Sequence, residues 1–177
     1  MSGEPSTGRV SISLAREDQR LLIENLFQFY VYDFSELEPP GSPGFEFNAD
    51  GLFDPYPYMA DYWREAGRRP LLIHVGDNVA GFALINTYSH HGGEVENNVA
   101  EFFVARKHRR AGVGAEAVRQ IVALYPGRWE AAVVARNLAA QAFWPRAIAS
   151  APNVSDIERR EGDGVQWRGP IWSFNAA

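Results

Sequence analysis

Apolar positions change period several times along the chain, and each change marks an element. Val10, Ile12 and Leu14 alternate with Ser11 and Ser13, which predicts a strand with one buried face. From Arg16 to about Phe34 the step becomes three and four residues, through Leu22, Leu26 and Phe29. Leu21, Ile23, Phe27, Tyr30 and Val31 widen that apolar face, so the helix belongs largely inside. A short helix from Tyr58 to Ala66 is expected to stop at Gly67. Pro70 to Val75 and Val79 to Tyr88 flank Gly76-Asp77-Asn78, a hairpin of strands covered on both faces. A polar loop, Ser89 to Glu96, leads to a strand-type run, Val99 to Val104. Val118, Ile121, Val122 and Tyr125 then fall at helical spacing in a segment opened by Gly112. Pro126-Gly127 turns the chain into a strand from Arg128 to Val134. A helix from Asn137 to Trp144 follows, capped by Asn137, and Pro145 should end or kink it. Asn153 to Arg160 and Gly164 to Phe174 predict a terminal hairpin.

Residues 35–57 are the least regular stretch. Pro39-Pro40-Gly41, Pro43-Gly44 and Asp50-Gly51 are turn signals, yet Phe45, Phe47, Phe53 and Tyr56 stand among Glu36, Glu38, Glu46 and Asp54. The aromatic content argues against disorder. Two readings stay open: an ordered lid over a substrate cup, or rings that only pack the loop onto the domain.

Composition narrows the class. The 177 residues fit one domain over 9–177, after a Gly/Ser/Pro-rich segment 1–8 expected to be disordered. The absence of cysteine excludes a disulfide scaffold, a thiolate metal site and a cysteine nucleophile, and agrees with a reducing cytoplasm. No signal-type or membrane-spanning apolar run occurs. A net charge of −5 disfavours nonspecific binding to nucleic acid or anionic membranes. The run Arg106, Lys107, His108, Arg109, Arg110 is a local exception. Such a run is usually a solvated face, but this one adjoins a turn of phosphate-binding type.

That turn carries the chemistry. Strand, glycine-bearing turn and helix place free N–H groups and the positive end of a helix dipole together, which favours an anion. Neither G-x-x-x-x-G-K-[ST] nor G-x-G-x-x-G is present, since Ala117 stands three after Gly114. The actual pattern, Arg109-x-x-Gly112-x-Gly114 beginning five residues after Val104, resembles the acyl-CoA signature R/Q-x-x-G-x-G/A of the GNAT superfamily of N-acyltransferases. The element order resembles that family along nearly the whole chain. It implies an α+β fold: a mixed, mostly antiparallel sheet of about six to seven strands with a splayed parallel pair, flanked by about four helices.

The resemblance also implies roles. The backbone of Phe103 and Val104 would bind the pantetheine of acetyl-CoA, and Arg109, Arg110, Ala111, Gly112, Val113, Gly114 and Ala115 would wrap its pyrophosphate. Arg106 and Lys107 could reach the 3′-phosphate. Asn137-x-x-Ala140-x-x-Phe143-Trp144 resembles the second motif, N-x-x-A-x-x-[FL]-Y, with Trp144 where the family's usual thiolate-protonating tyrosine stands. Asn137 and Phe143 would line the coenzyme site. An indole N–H cannot give up a proton at useful pH, so either Tyr88, Tyr125 or water protonates the thiolate, or the thiolate leaves unprotonated. Glu101, alone in an apolar run, is the leading general base, because burial raises a carboxylate pKa. Many relatives carry a glutamate earlier on this strand, where Asn98 stands, and regular alternation would put Asn98 and Glu101 on opposite faces. Glu96, a water chain, His90 or His91 are the other candidates.

The leading function is therefore acetyl transfer from acetyl-CoA to a small-molecule primary amine by direct attack in a ternary complex, without metal and in the cytoplasm. The alternatives are acetylation of a protein N-terminus or lysine, and a noncatalytic acyl-CoA-binding module. A homodimer through the terminal strands would fit the family. Binding of nucleic acid or membrane is not expected.

Overall fold

The structure, a computed structural model, describes residues 8–177. The expected disorder of the first residues lies, Gly8 apart, outside that range. In chain order the elements are β1 (Val10–Leu14), α1 (Arg20–Ser35), β2 (Arg69–Val75), β3 (Asn78–Asn86) and β4 (Asn97–Val104), then α2 (Val113–Leu124), β5 (Gly127–Ala132), α3 (Leu138–Ser150), β6 (Val154–Glu161) and β7 (Pro170–Ala176). The strands form one mixed sheet in the order β1-β2-β3-β4-β5-β7-β6.

The sheet separates two cores. On one face α1 buries Ile23, Phe27 and Val31 against Leu72, Phe82, Leu84 and Phe103. On the other, α2 and α3 bury Val118, Ile121, Trp144 and Ile148 against Leu71, Ala83, Ile85, Trp129 and Phe174. The central strands β2 and β3 read as near-continuous apolar runs because helices or loops cover both their faces.

Among the described residues only β4 and β5 run parallel. They pair through Asn97↔Trp129, Asn98↔Glu130 and Val99↔Ala131. Past Val99 the two strands part, while β4 stays paired to β3 as far as Val104. Asn97, buried at the start of the parallel pair, ties it to neighbouring elements. Its Nδ2 donates to the carbonyls of Tyr125 and Pro126, both at 3.3 Å, and its Oδ1 accepts from Arg69 at 3.0 Å.

Three expectations need correction. The segment after Tyr58 closes only a 3-10 turn over Met59–Trp63, so among the described residues three α-helices flank the sheet rather than about four. A stretch held between Pro57 and the left-handed Gly67 is too short to propagate a helix. Pro145 does not end α3, which runs on to Ser150. An interior proline costs up to about 3 kcal/mol, and burial of the residues beyond it, about 2 kcal/mol for Ile148 with smaller amounts for Ala147 and Ala151, offsets most of that. The last strand starts at Pro170 rather than Gly164, because the Asp163 carboxylate accepts the N–H groups of Val165, Gln166 and Trp167 and curls that segment into a turn.

Candidate active site

The gap between β4 and β5 is opened from within β4. Leu84 pairs with Glu101 but Ile85 with Val99, so Ala100 is an extra residue, a β-bulge. The bulge resets the alternation of side chains. Asn97 points toward the end of α2, which puts Asn98 on the α1 face, its Nδ2 donating to Asn86 Oδ1 at 2.9 Å. Beyond the bulge Glu101 and Phe103 also face α1, while Phe102 and Val104 face α2 and α3. Asn98 and Glu101 therefore share a face, contrary to the alternation expected from an unbroken strand.

Main-chain directions follow the same logic. Ala105 N–H donates to Ala80 O at 2.8 Å, so Ala105, Phe103 and Glu101 turn their amide groups toward β3. Phe102 and Val104 turn theirs toward the gap. The carbonyl of Val104 is engaged there by Arg109 Nε at 2.6 Å. A pantetheine chain laid in the gap would thus meet the main chain of Phe102 and Val104, and only the side chain of Phe103.

The turn at 109–112 forms the far end of this gap. Arg110 (φ 63°) and Gly112 (φ 77°) both adopt left-handed conformations, an arrangement that points successive N–H groups into one concavity. The first helical bond of α2 is Glu116 N–H to Gly112 O. Upstream of it, the N–H groups of Arg110, Ala111, Gly112, Val113, Gly114 and Ala115 have no acceptor among the described residues. At Gly112 an added Cβ would meet nothing, so glycine serves the backbone angle. At Gly114 it would come within 3.2 Å of the Phe143 ring, so glycine serves close packing.

A groove of about 620 Å³ runs from this turn along the gap, between the end of α1 and the start of α3. Its walls include Phe103, Val104, Arg109, Arg110, Gly112, Gly114 and Ala115. Asn137, Phe143 and Trp144 line the opposite wall, and Tyr30, Asp33 and Phe34 line the α1 side. Ala111 and Val113 belong to the same turn without lining the groove. Phe102 stacks on Phe143 at 5.9 Å and meets Trp144 edge-on at 5.3 Å, which makes the inner wall aromatic. Asn137 Oδ1 caps α3 by accepting from Ala140 N–H at 3.0 Å. Arg106 and Arg109 both pair with Asp33 at the mouth, and Lys107 is exposed beside them.

On the α1 face Glu101 sits among tyrosines. Burial pushes its carboxyl up from 4.5 to about 7, against the opposing pull of the Tyr30 and Tyr56 hydroxyls, which favour its charged form. Burial, with Glu101 next, holds both phenols well above their ordinary value. Tyr62 completes the group, its buried hydroxyl without a partner among the described residues. The Arg68 guanidinium lies 5.3 Å from the Tyr62 ring centre and 5.8 Å from that of Tyr58. Tyr56 arrives on the irregular 35–57 segment, which is fastened to α1. The Gln28 amide bonds both the N–H and the carbonyl of Phe53, at 2.8 and 3.2 Å. Phe53 is buried against α1, as the packing reading of the loop expects, while Tyr56 faces Glu101.

The other basic and acidic candidates lie elsewhere. Glu96 accepts from Arg128 N–H at 2.7 Å at the opposite end of β4. His90 stands 3.7 Å from the buried Glu130 and packs on Trp167 and Tyr88. Tyr125 lies under the Arg69 guanidinium at 4.6 Å. None of Glu96, His90, His91, Tyr88 and Tyr125 lines the groove.

The acetyltransferase (GNAT) family model matches residues 31–148. The chain belongs to the GNAT acetyltransferase family. An acetyltransferase from Thermus thermophilus superposes with a TM-score of 0.63 at 14% identity, covering 97% of this chain and 99% of that one. The spermidine N-acetyltransferase from Vibrio cholerae, in complex with CoA and spermine, gives 0.54 at 11% identity, covering 93% of each chain. The ribosomal-protein-S18-alanine N-acetyltransferase from Escherichia coli gives 0.51 at 12%, covering 95% and 93%. At these identities the structures share the fold. No curated protein sequence matches the chain.

Asn98 and Trp144, the two residues at which the chain differs from the motifs it resembles, lie on the α1 face of β4 and on the groove wall. The bulge at Ala100 puts Glu101 on the face that position 98 occupies. The sequence alone assigns no chemistry to Tyr30 or Tyr62. A hydroxyl-bearing ring on the inward face of an otherwise apolar helix was the available signal for Tyr30.

Proposed function

We propose that this chain is an acetyl-CoA-dependent N-acetyltransferase that acetylates the primary amine of a small molecule by direct attack in a ternary complex. The observation that carries the reading is an adjacency across β4. A groove ending in unpaired amides lies along its open edge, and a carboxylate with a pKa of about 7 lies on the α1 face of the same strand, beside Tyr30 of the groove wall.

The coenzyme fits what the residues offer. The amides of 110–115 and the α2 dipole would hold the diphosphate, and Arg106, Arg109 and Arg110 stand at the same mouth. Phe102 and Val104 would pair with the pantetheine as a further strand, filling the edge that β5 leaves open. The aromatic wall of Phe102, Phe143 and Trp144 would exclude water from the thioester.

On the acceptor side Glu101 would take the proton of the attacking amine, a task suited to a base with a pKa near the working pH. The rings of Tyr30 and Tyr56 form an aromatic, partly negative surround that favours an arriving ammonium group. The 35–57 segment, pinned to α1 through Phe53, covers this side and favours a small acceptor over an extended polypeptide.

Free-thiol release from acetyl-CoA, measured with polyamines, aromatic amines, amino acids and N-terminal peptides, tests the assignment. Release that depends on a small amine supports it. Release with peptides alone would favour the protein-acetylating reading, and CoA binding without release under any amine would favour a binding module.

A further inference from the structure

The groove wall contains one phenol that also faces the carboxylate on the other side of the site. Tyr30 lines the coenzyme groove beside Phe103 and Val104, its ring edge-on to Phe103 at 6.3 Å and to Phe82 at 5.9 Å. Glu101 lies on the same face of β4 as Phe103, opposite Leu84 of the cluster into which Tyr30 packs, and its charge acts on the Tyr30 hydroxyl. At the family's usual acid position stands Trp144, whose indole has no proton to give at neutral pH. Tyr88 and Tyr125 lie away from the groove.

We propose that Tyr30, from α1, is the catalytic acid that protonates the departing CoA sulfur, and that it is recharged by Glu101. This inference rests on the acetyltransferase reading above.

The step balances without a further reactant. The amine nitrogen forms a bond to the thioester carbonyl carbon, and its proton passes to the Glu101 carboxylate. The C–S bond breaks with its electron pair going to sulfur, which takes the Tyr30 hydroxyl proton. The phenolate then recovers a proton from Glu101, and both side chains return to their starting states. Energetics favour a relay over a lone phenol. Burial, then the neighbouring carboxylate, keep Tyr30 firmly protonated, so phenol-to-thiolate transfer alone runs uphill to a thiol of pKa about 8.5. The net donor in the relay is protonated Glu101, with a pKa of about 7, and the overall transfer runs downhill. The other titratable groups facing this pair are Tyr56, Tyr62 and Arg68.

The test is Tyr30→Phe, with CoA affinity and thermal melting as controls for folding and binding. With acetyl-CoA and a productive amine, kcat should fall about 100-fold, a loss in the range of general acid catalysis, with CoA affinity unchanged. With phenyl thioacetate, whose arenethiolate leaves without a proton, the loss should shrink to about threefold or less, since acid catalysis then contributes little. An equal loss with both donors, or a Y30F enzyme as fast as the parent, overturns the proposal. If Y30F does not fold, 3-fluorotyrosine at position 30 must alter the rate with acetyl-CoA only; no change with either donor overturns it. A parent enzyme that turns over while Y30F is unaffected sinks this inference alone, whereas a parent with no turnover sinks the acetyltransferase reading too.

Discussion

Asn98 and Glu101 face the same side of β4, three positions apart, because Ala100 is inserted between the rungs Val99↔Ile85 and Glu101↔Leu84. Without that bulge the carboxylate would point into the aromatic wall of the groove instead of toward Tyr30 and Tyr56. The parallel pairing with β5 also ends at Val99, next to the bulge. A single extra residue coincides with both the opening of the gap and the placement of the carboxylate.

Glu101 should weaken the fold as it ionises. Its carboxyl is raised from 4.5 to about 7, so the folded state binds this proton more tightly than the unfolded chain. The group imposes no penalty below about pH 4.5, and the penalty grows until pH passes about 7. At pH 8 it is on the order of 3 kcal/mol at most. Glu101→Gln should therefore melt higher than the parent at pH 8 and at nearly the same temperature at pH 4. Equal melting at both values would mean that the carboxylate is not desolvated.

The two turn glycines should fail in different ways. Gly112→Ala meets no steric obstacle but must hold φ near 77°, at a cost of about 1–2 kcal/mol. Relaxing that angle turns the amides away from the diphosphate, and CoA affinity should fall about tenfold, equivalent to about 1.4 kcal/mol. Gly114→Val would press on Phe143, which an added Cβ already approaches to 3.2 Å, and should narrow the groove itself. Calorimetry with CoA and with desulfo-CoA reads both effects; unchanged affinity in G112A would contradict the cradle.

Much of this arrangement was legible in the sequence. Alternation at Val10–Leu14 and apolar runs at 70–75 and 79–88 located the outer and central strands, because burial leaves a direct trace in the period, although Leu14 at the end of the outer strand is itself exposed. The Gly112-x-Gly114 turn was legible because backbone angle and ring contact each demand glycine there. The bulge was not, since Ala100 is an ordinary strand residue and only the pairing with β3 reveals that it is extra. Nor was the group of Tyr30, Tyr56 and Tyr62 around Glu101, assembled from α1, the irregular loop and the turn after it. Contacts across such distances leave no local pattern.

Asp33 should restrain coenzyme binding. It pairs with both Arg106 and Arg109 at the groove mouth, where its own charge would oppose phosphate. Asp33→Asn should tighten CoA binding by roughly three- to tenfold at low salt, with the gain fading above about 0.5 M as screening shortens the Debye length. Weaker binding in D33N would instead mean that Asp33 is needed to hold Arg109 against Val104 O.

Pro145 should be a liability that α3 carries for reasons other than stability. It stands inside the helix, where it forgoes the bond to position 141. Pro145→Ala should raise stability by about 1–3 kcal/mol in urea unfolding. Lower stability would show that the ring's packing outweighs the lost bond.

The role proposed for Glu101, base for an amine held beside CoA, is central to everything above. The direct measurement is kcat/KM against pH for the parent and for Glu101→Gln, using thiol release with whichever amine is turned over. The parent should rise through a pH of about 7 and level off above it. E101Q should be flat and lower by at least about 100-fold, with CoA affinity unchanged. Parent-like activity in E101Q, with the same rising limb, would contradict the assignment.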